Sequence, residues 1–396
     1  MINKKMELLG SKRSVIRELF EYGMKRKNEI GAENVFDFSL GNPSVEPPSS
    51  VNETLIELIN TLEPTKLHAY TTAAGDMATR RAIADYLNGQ YGIGARPECL
   101  YMTVGAAGAL TSALTAIASE GEEVIVLAPY FPEYRVFIER TGAAVKEVLC
   151  DLESFQPDIS AIEEAINERT AAIIVNSPNN PSGAVFTEEK ISELCELLKR
   201  KSGELGKPIY LISDEPYREL VYGGAKVPYL TNYYDNTVVC YSFSKSLSLP
   251  GERIGYVLVS PRCEDFSAVY AAVAGAARAL GFVCAPSLLQ YLVGRQLGKT
   301  ADISVYDRNR RLLCDALTEY GYTVVKPDGA FYLFVKALED DAVKFAERAK
   351  AHELLLVPSD DFGVTGYVRI SYCTSTEQIK RALPAFKALA EEYRRG

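Results

Sequence analysis

Histidine occurs only twice in this chain, at His68 and His352, so a histidine-built zinc site or a Ser-His-Asp hydrolase would have to be assembled from that pair alone. A general base is therefore expected from another residue type, and lysine serves once its pKa is lowered. No metal site is expected. No CxxC pair occurs among the eight cysteines, which are widely scattered and in several cases sit inside apolar runs. They read as reduced core residues of a cytoplasmic protein. No apolar run reaches the length of about 18 residues that a membrane span needs. The N-terminal stretch MINKKMELLGSKRSVIRELF lacks an apolar h-region and a small-residue cleavage site, so no signal peptide is expected. A basic surplus is missing too: 43 Lys and Arg stand against 52 Asp and Glu, a net charge of −9, which speaks against nucleic acid as a partner.

What is present is a chain of 396 residues, long enough for two or three domains, with the 47 % hydrophobic and 24 % charged content of a soluble globular protein. From about residue 95 onward, short apolar runs alternate with helical patterns. CLYMTV (99–104) precedes a small-residue stretch that predicts a helix beginning near Ala106. EEVIVLAP (122–129), AAIIVNSP (171–178), PIYLISDEP (208–216), TVVCYSF (237–243) and RIGYVLVS (253–260) repeat the strand form. Nearly continuous apolar runs of this kind suit strands covered on both faces, as in a mostly parallel sheet between helices. Ligands of such sheets bind at the carboxyl ends of the strands. The residues to watch are thus Gly105, Asn176 to Gly183, Asp214 to Tyr217, and Ser242 to Lys245. The last hundred or so residues mix charged helical patterns with the strand candidates YTVVKP, AFYLFV, ELLLVP and YVRISYC, which predicts a separate α+β layer. The N-terminal forty residues, helical and then extended at VFDFSLGNPSVEPP, are expected to join it. No internal repeat is visible.

Four segments carry polar residues where chemistry could sit. In SFSKSLSLPGERIGY (242–256), Lys245 closes a buried strand between two serines, where restricted water would lower its pKa as imine formation requires. Arg253, eight residues on, opens the next strand and could point into the same crevice. A lysine at a strand end reaching solvent is the plainer alternative. TVGAAGAL (103–110) joins strand to helix through small residues; it has neither GxGxxG nor GK[ST], and its free N–H groups suit a phosphate or merely tight packing. In DEPY (214–217), Asp214 ends an apolar strand, where a carboxylate is costly unless paired. Facing a protonated ring nitrogen it would gain roughly 4–6 kcal/mol at an effective dielectric of about 20; a structural salt bridge or helix cap would also account for it. NSPNNPSG (176–183) is a turn cluster in which Asn180, held extended by Pro181, could offer its amide to a ligand or serve as plain loop.

Taken in order, GNP near the N-terminus, Tyr70 with Gly75 and Arg80, GAAGAL, PYFPEY, NNPSG, DEPY, SFSKSLSLPGERIG and YVRISY resemble the class I/II aminotransferases of fold-type I pyridoxal-phosphate enzymes, typified by aspartate aminotransferase. The resemblance spans roughly residues 37 to 373. It implies an α/β fold: a large cofactor-binding domain (45–284) with a mostly parallel seven-stranded sheet between helices. A smaller α+β domain comes from both chain ends (1–44 and 285–396). It implies that Lys245 binds pyridoxal 5′-phosphate covalently and shuttles the Cα proton, that Asp214 holds the ring-nitrogen proton, and that Tyr217 and Asn180 bond the phenolic oxygen. Phe131 would stack on the ring. The phosphate would be held by the N–H groups of Ala106 and Ala107, by Ser242, Ser244 and Arg253, and by Tyr70 of a neighbouring subunit, hence a homodimer with shared sites. Arg369 would grip the substrate α-carboxylate with help from Asn180 and the Gly41 backbone.

The implied reaction moves an amino group from an L-amino acid, aspartate or a similar one, to a 2-oxo acid such as 2-oxoglutarate. Alanine or aromatic substrates and β-elimination by a lyase are the alternatives. A dicarboxylate substrate calls for a second cation. Ala107 stands where some related enzymes place a lysine, and Arg278, whose register is offset from theirs, is the candidate for the substrate's distal end, with a surface or interfacial arginine as the alternative.

Overall fold

The computed structural model describes residues 2–11 and 14–395; Met1, Lys12, Arg13 and Gly396, which belong to the expected smaller domain, lie outside the described residues. A single short strand, β1 (Phe36–Asp37), precedes the main sheet. That sheet uses β2 (Leu100–Thr103), β3 (Glu123–Ala128), β4 (Ala144–Leu149), β5 (Thr170–Asn176), β6 (Tyr210–Asp214), β7 (Thr237–Ser242) and β8 (Gly255–Val259). Its spatial order is 2-8-7-6-5-3-4, and β8 alone runs antiparallel to its neighbours. Strands β2, β3, β5, β7 and β8 are buried along their whole length, because helices cover both faces and every side chain must be apolar or satisfied.

The expected runs therefore became strands, their ends shifted by no more than two residues, mostly inward, with Thr170 added at the start of β5. The seventh strand, AVKEVL, escaped the sequence reading. It is the sheet's edge, mostly exposed, and carries Lys146 and Glu147 where a central strand would be apolar.

The later part of the chain supplies β9 (Tyr332–Lys336), β10 (Leu354–Leu355), β11 (Val357–Pro358) and β12 (Tyr367–Ser371). β11, β12 and β9 form a three-stranded antiparallel sheet, while β1 pairs parallel with β10. ELLLVP is thus divided at Leu356 between two sheets. YTVVKP does not become a strand; it contributes only the isolated bridge Val324–Val335. A second hydrophobic core fills this layer, from Phe38 and Tyr306 to Phe386. The N-terminal extended segment pairs with it: the amide of Phe36 donates to the carbonyl of Glu353 and that of Phe38 to the carbonyl of Leu355. Beyond the boundary expected at 284/285, Leu289, Leu292 and Val293 of the helix Ser287–Val293 pack with Val51, Leu58 and Leu258 on the main sheet's face. Among the described residues, no helix is long and apolar enough to cross a membrane.

This topology decides where polar groups meet. Parallel β5, β6 and β7 end side by side, with Asn176 in register with Asp214. Because β8 is reversed, its start lies against their ends: Gly255 is the register partner of both Ser242 and Thr103. The turn after β2 and the turn before β8 are thereby brought to one edge.

Candidate active site

At that edge, between the main sheet and the β9–β12 layer, lies a cavity of about 300 Å³. Its walls include Gly41, Ala106, Ala107, Phe131, Asn180, Asp214, Tyr217, Ser242, Ser244, Lys245, Arg253 and Arg369. Of the residues expected to bind cofactor or substrate, all except Tyr70 and Arg278 line this one cavity. Tyr70 is 95 % exposed, and Arg278 is exposed in the last turn of the helix Phe266–Leu280; neither lines the cavity of this chain.

Lys245 does not close the strand itself. β7 stops at Ser242, whose hydroxyl caps a one-turn helix, Phe243–Ser246, and Lys245 rides on that turn. Its Nζ donates to the Gly41 carbonyl at 2.6 Å and lies 5.3 Å from the Phe331 ring centre. Burial lowers its pKa to about 8; Arg253 and Arg369 push the same way and Cys373 opposes them. Gly41 has to be a glycine, since a Cβ there would stand 1.8 Å from the Tyr332 hydroxyl.

Asp214 ends β6 and is 4 % exposed. Its Oδ2 accepts from the Tyr134 hydroxyl and, at 3.4 Å, from the Asn176 amide, whereas Oδ1 is buried with no partner. Burial pushes its pKa up to about 7, and the Tyr134 hydrogen bond pulls the other way. Asn176 Nδ2 also donates to the Asp214 carbonyl, and Asn176 Oδ1 accepts from the Asn180 backbone amide at 2.8 Å. Asn180 Oδ1 in turn accepts from Arg369 Nη1 at 3.1 Å. Arg369 is 2 % exposed, donates Nη2 to the Ser39 carbonyl at 2.6 Å, and leaves Nε without a partner. Its guanidinium lies 4.7 Å from the Tyr332 ring centre and 5.2 Å from that of Phe362. Among the described residues no carboxylate pairs with it. A buried cation with only neutral partners is costly and suits an anionic ligand. The Tyr217 hydroxyl meets that of Tyr332 at 3.1 Å.

At the other end of the cavity, the helix Gly105–Ile117 starts with unpaired first-turn amides at Ala106 and Ala107. Gly105 has φ +77°, in the left-handed region that favours glycine, and a Cβ there would stand 2.9 Å from Arg253 Nη2, which would have to move aside. Arg253 precedes β8 by two residues instead of opening it, and holds φ +52°, a conformation that costs a non-glycine residue about 1 kcal/mol or more. Its Nη1 donates to the Pro250 carbonyl at 3.1 Å and to Ser244 Oγ at 3.4 Å, and Ser244 Oγ lies 2.7 Å from Ser242 Oγ. Amides, two hydroxyls and a guanidinium converge as a phosphate site requires.

The Asp214–Tyr217 turn is braced from behind by a buried ion pair. Glu215 Oε1 accepts from Ser213 Oγ at 2.7 Å, and Oε2 accepts from Arg218 Nε. Arg218 also donates to the carbonyls of Val227 and Pro228 and lies over the Tyr229 ring at 4.6 Å. Arg218→Ala strands the buried Glu215 carboxylate and is expected to lower unfolding free energy by about 3–5 kcal/mol. Urea unfolding measures this, and a loss below about 1 kcal/mol would remove the pair from the account of the turn.

Tyr134, Tyr332 and the role of Asn176 were not found from the sequence. Asn176 had its signal, a polar residue at a strand tip beside Asp214. Tyr134 sits inside a helix (Glu133–Arg140) and Tyr332 inside a strand, where an aromatic reads as core.

The chain as a whole is similar to known proteins. A family model described as aminotransferase class I and II matches residues 33–386. An aspartate/prephenate aminotransferase of Thermus thermophilus is 32 % identical over 87 % of this chain and 88 % of its own length. An aspartate aminotransferase of Thermotoga maritima is 30 % identical over 96 % and 95 %. Among solved structures, an aminotransferase from Eubacterium rectale superposes with a TM-score of 0.97 at 55 % identity, covering 99 % of both chains. The T. thermophilus aspartate aminotransferase with maleate reaches 0.86 at 28 % identity, over 98 % of this chain and 99 % of that one.

Proposed function

The chain belongs to the class I and II aminotransferases, and we propose that it transfers the amino group of an L-amino acid, aspartate or a close analogue, to a 2-oxo acid such as 2-oxoglutarate, with Lys245 as the cofactor-binding and proton-transferring residue. Its cofactor, pyridoxal phosphate, supplies when bound a carbonyl that condenses with amines and a ring that takes up the electron pair left at Cα. The residues fit that group: Asp214 Oδ1 is a buried acceptor without a partner, and the Gly105 turn is kept bare beside Arg253.

Lys245 would hold the cofactor's carbonyl carbon, and Asp214 its ring nitrogen. Asn180 and Tyr217 would bond the phenolic oxygen, and Phe131 would cover the ring. Ala106, Ala107, Ser242, Ser244 and Arg253 would take the phosphate. Arg369 would bind the substrate α-carboxylate with Asn180 and the Gly41 backbone, turning Cα toward Lys245. An amine with a pKa of about 8 is partly neutral near physiological pH, so Nζ can remove the Cα proton and return it. The exposed Tyr70 would complete the phosphate site of a second copy, making a cytoplasmic homodimer.

The observation that carries this reading is the convergence on one cavity of Lys245, an Asp214 oxygen and an Arg369 guanidinium that have, among the described residues, no hydrogen-bond partner and no counter-ion respectively. The aspartate preference leans on the relatives' names and is the part a substrate screen decides. Purified yellow protein mixed with single amino acids should lose its imine absorbance and release the matching 2-oxo acid, fastest with aspartate or glutamate. No response to any amino acid defeats the assignment of the site. A faster response to alanine or phenylalanine defeats only the substrate preference, and pyruvate released from cystathionine without an acceptor points to a β-lyase.

A further inference from the structure

The two oxygens of Asp214 are not equivalent. Oδ2 accepts from Tyr134, and Oδ1, also buried, has no donor among the described residues. A half-turn about the carboxylate's own bond would exchange them, so something must choose which one faces the cavity. Tyr134 is 1 % exposed, and its hydroxyl has Asp214 as its one hydrogen-bond partner among the described residues. Its ring is locked by an edge contact with Phe131 at 5.7 Å and by stacking on Tyr130 at 6.4 Å. Phe131 lines the cavity while Tyr134 lies behind it.

We propose that Tyr134 is a positioning residue for the cofactor: its hydroxyl anchors Asp214 Oδ2 so that Oδ1 alone is presented, as an anion, to the ring nitrogen. This rests on the reading that Asp214 faces that nitrogen. The choice of a phenol is chemically apt. Burial raises the Tyr134 pKa well above its ordinary value, so the group stays a donor and cannot take Asp214's place as the base. Desolvation alone drives Asp214 toward its neutral form, in which it cannot balance a pyridinium, and the Tyr134 hydrogen bond opposes that. The other titratable groups facing Asp214 do not do this work. Tyr217 and Cys240 are held neutral by burial, and Glu215, which raises the Asp214 pKa, is paired with Arg218.

Tyr134→Phe keeps the ring packing and removes only the donor. Cofactor dissociation from the full-length holoenzyme, measured by equilibrium dialysis between pH 6 and 9, is expected to become about 10- to 100-fold easier at pH 7, the size of one hydrogen bond to a charged group. The defect should shrink toward pH 9, where Asp214 ionises without help. A variant that merely packs badly would lose affinity equally at every pH, and that result overturns the proposal. Asp214→Asn separates the two claims. If it leaves cofactor affinity unchanged, Asp214 does not face the ring and the inference falls with that reading. If Asp214→Asn weakens binding and Tyr134→Phe does not, only the role of Tyr134 is refuted.

Discussion

Lys245→Ala is expected to abolish the covalent attachment of the cofactor and to lower kcat by about 10⁴-fold or more, the combined size of losing a nucleophilic amine and a general base. The yellow imine absorbance should vanish, and borohydride should no longer fix the cofactor to the protein. A borohydride-reducible adduct on another lysine would refute the assignment. The same variant carries a stability signature. The folded-state pKa of Lys245 is about 8, below the unfolded value of about 10.4, so the folded chain binds this proton less tightly. The lysine therefore opposes folding below pH 8, and the penalty fades as pH rises from about 8 to about 10.4. Cofactor-free Lys245→Ala should accordingly be more resistant to urea than the parent at pH 7, with the gap closing by pH 10. Equal resistance at pH 7 would show that the amine is solvated after all.

Asp214→Asn should be the next most damaging change, with kcat/KM reduced on the order of 10³-fold, because a contact between carboxylate and ring cation shifts the nitrogen's pKa by about three units. Stability should move the opposite way in the absence of cofactor. The folded-state pKa of Asp214 is about 7, above the unfolded value of about 3.9. Its contribution to stability is present in full at low pH and lost as pH rises through 7. The cofactor-free asparagine variant should thus exceed the parent's stability at pH 8 and not at pH 4. With cofactor bound the order should reverse, because the parent alone has an anion to give to the ring nitrogen. A variant that retains full kcat/KM would remove Asp214 from the ring.

Six of the seven strands of the main sheet could be read from residue order, because a strand buried on both faces has to be continuously apolar. The seventh could not: an edge strand obeys solvent and its single neighbour, and AVKEVL looks like a charged surface segment. YTVVKP shows the converse error, a β-branched run that found a partner only at Val324. Lys245, Asp214, Asn180 and Arg253 were legible because each stands where an apolar strand gives way to polar residues. Tyr134 and Tyr332 were not, since their function lies in where a hydroxyl ends, and periodicity reports only that the ring is buried.

Local order thus set the alternation of strand and helix, the family's motif series, and the identity of the polar groups proposed to meet a cofactor. Only the folded chain decided which of those groups touch. Lys245 reaches the carbonyl of Gly41 from 204 positions away, and Arg369 reaches Ser39 from 330. The reversal of β8 carried Arg253 back to the Gly105 turn, and the β9–β12 layer closed over the sheet edge to strip water from Lys245, Asp214 and Arg369. Desolvation of that kind belongs to no segment of sequence, because it is the sum of everything packed around an atom.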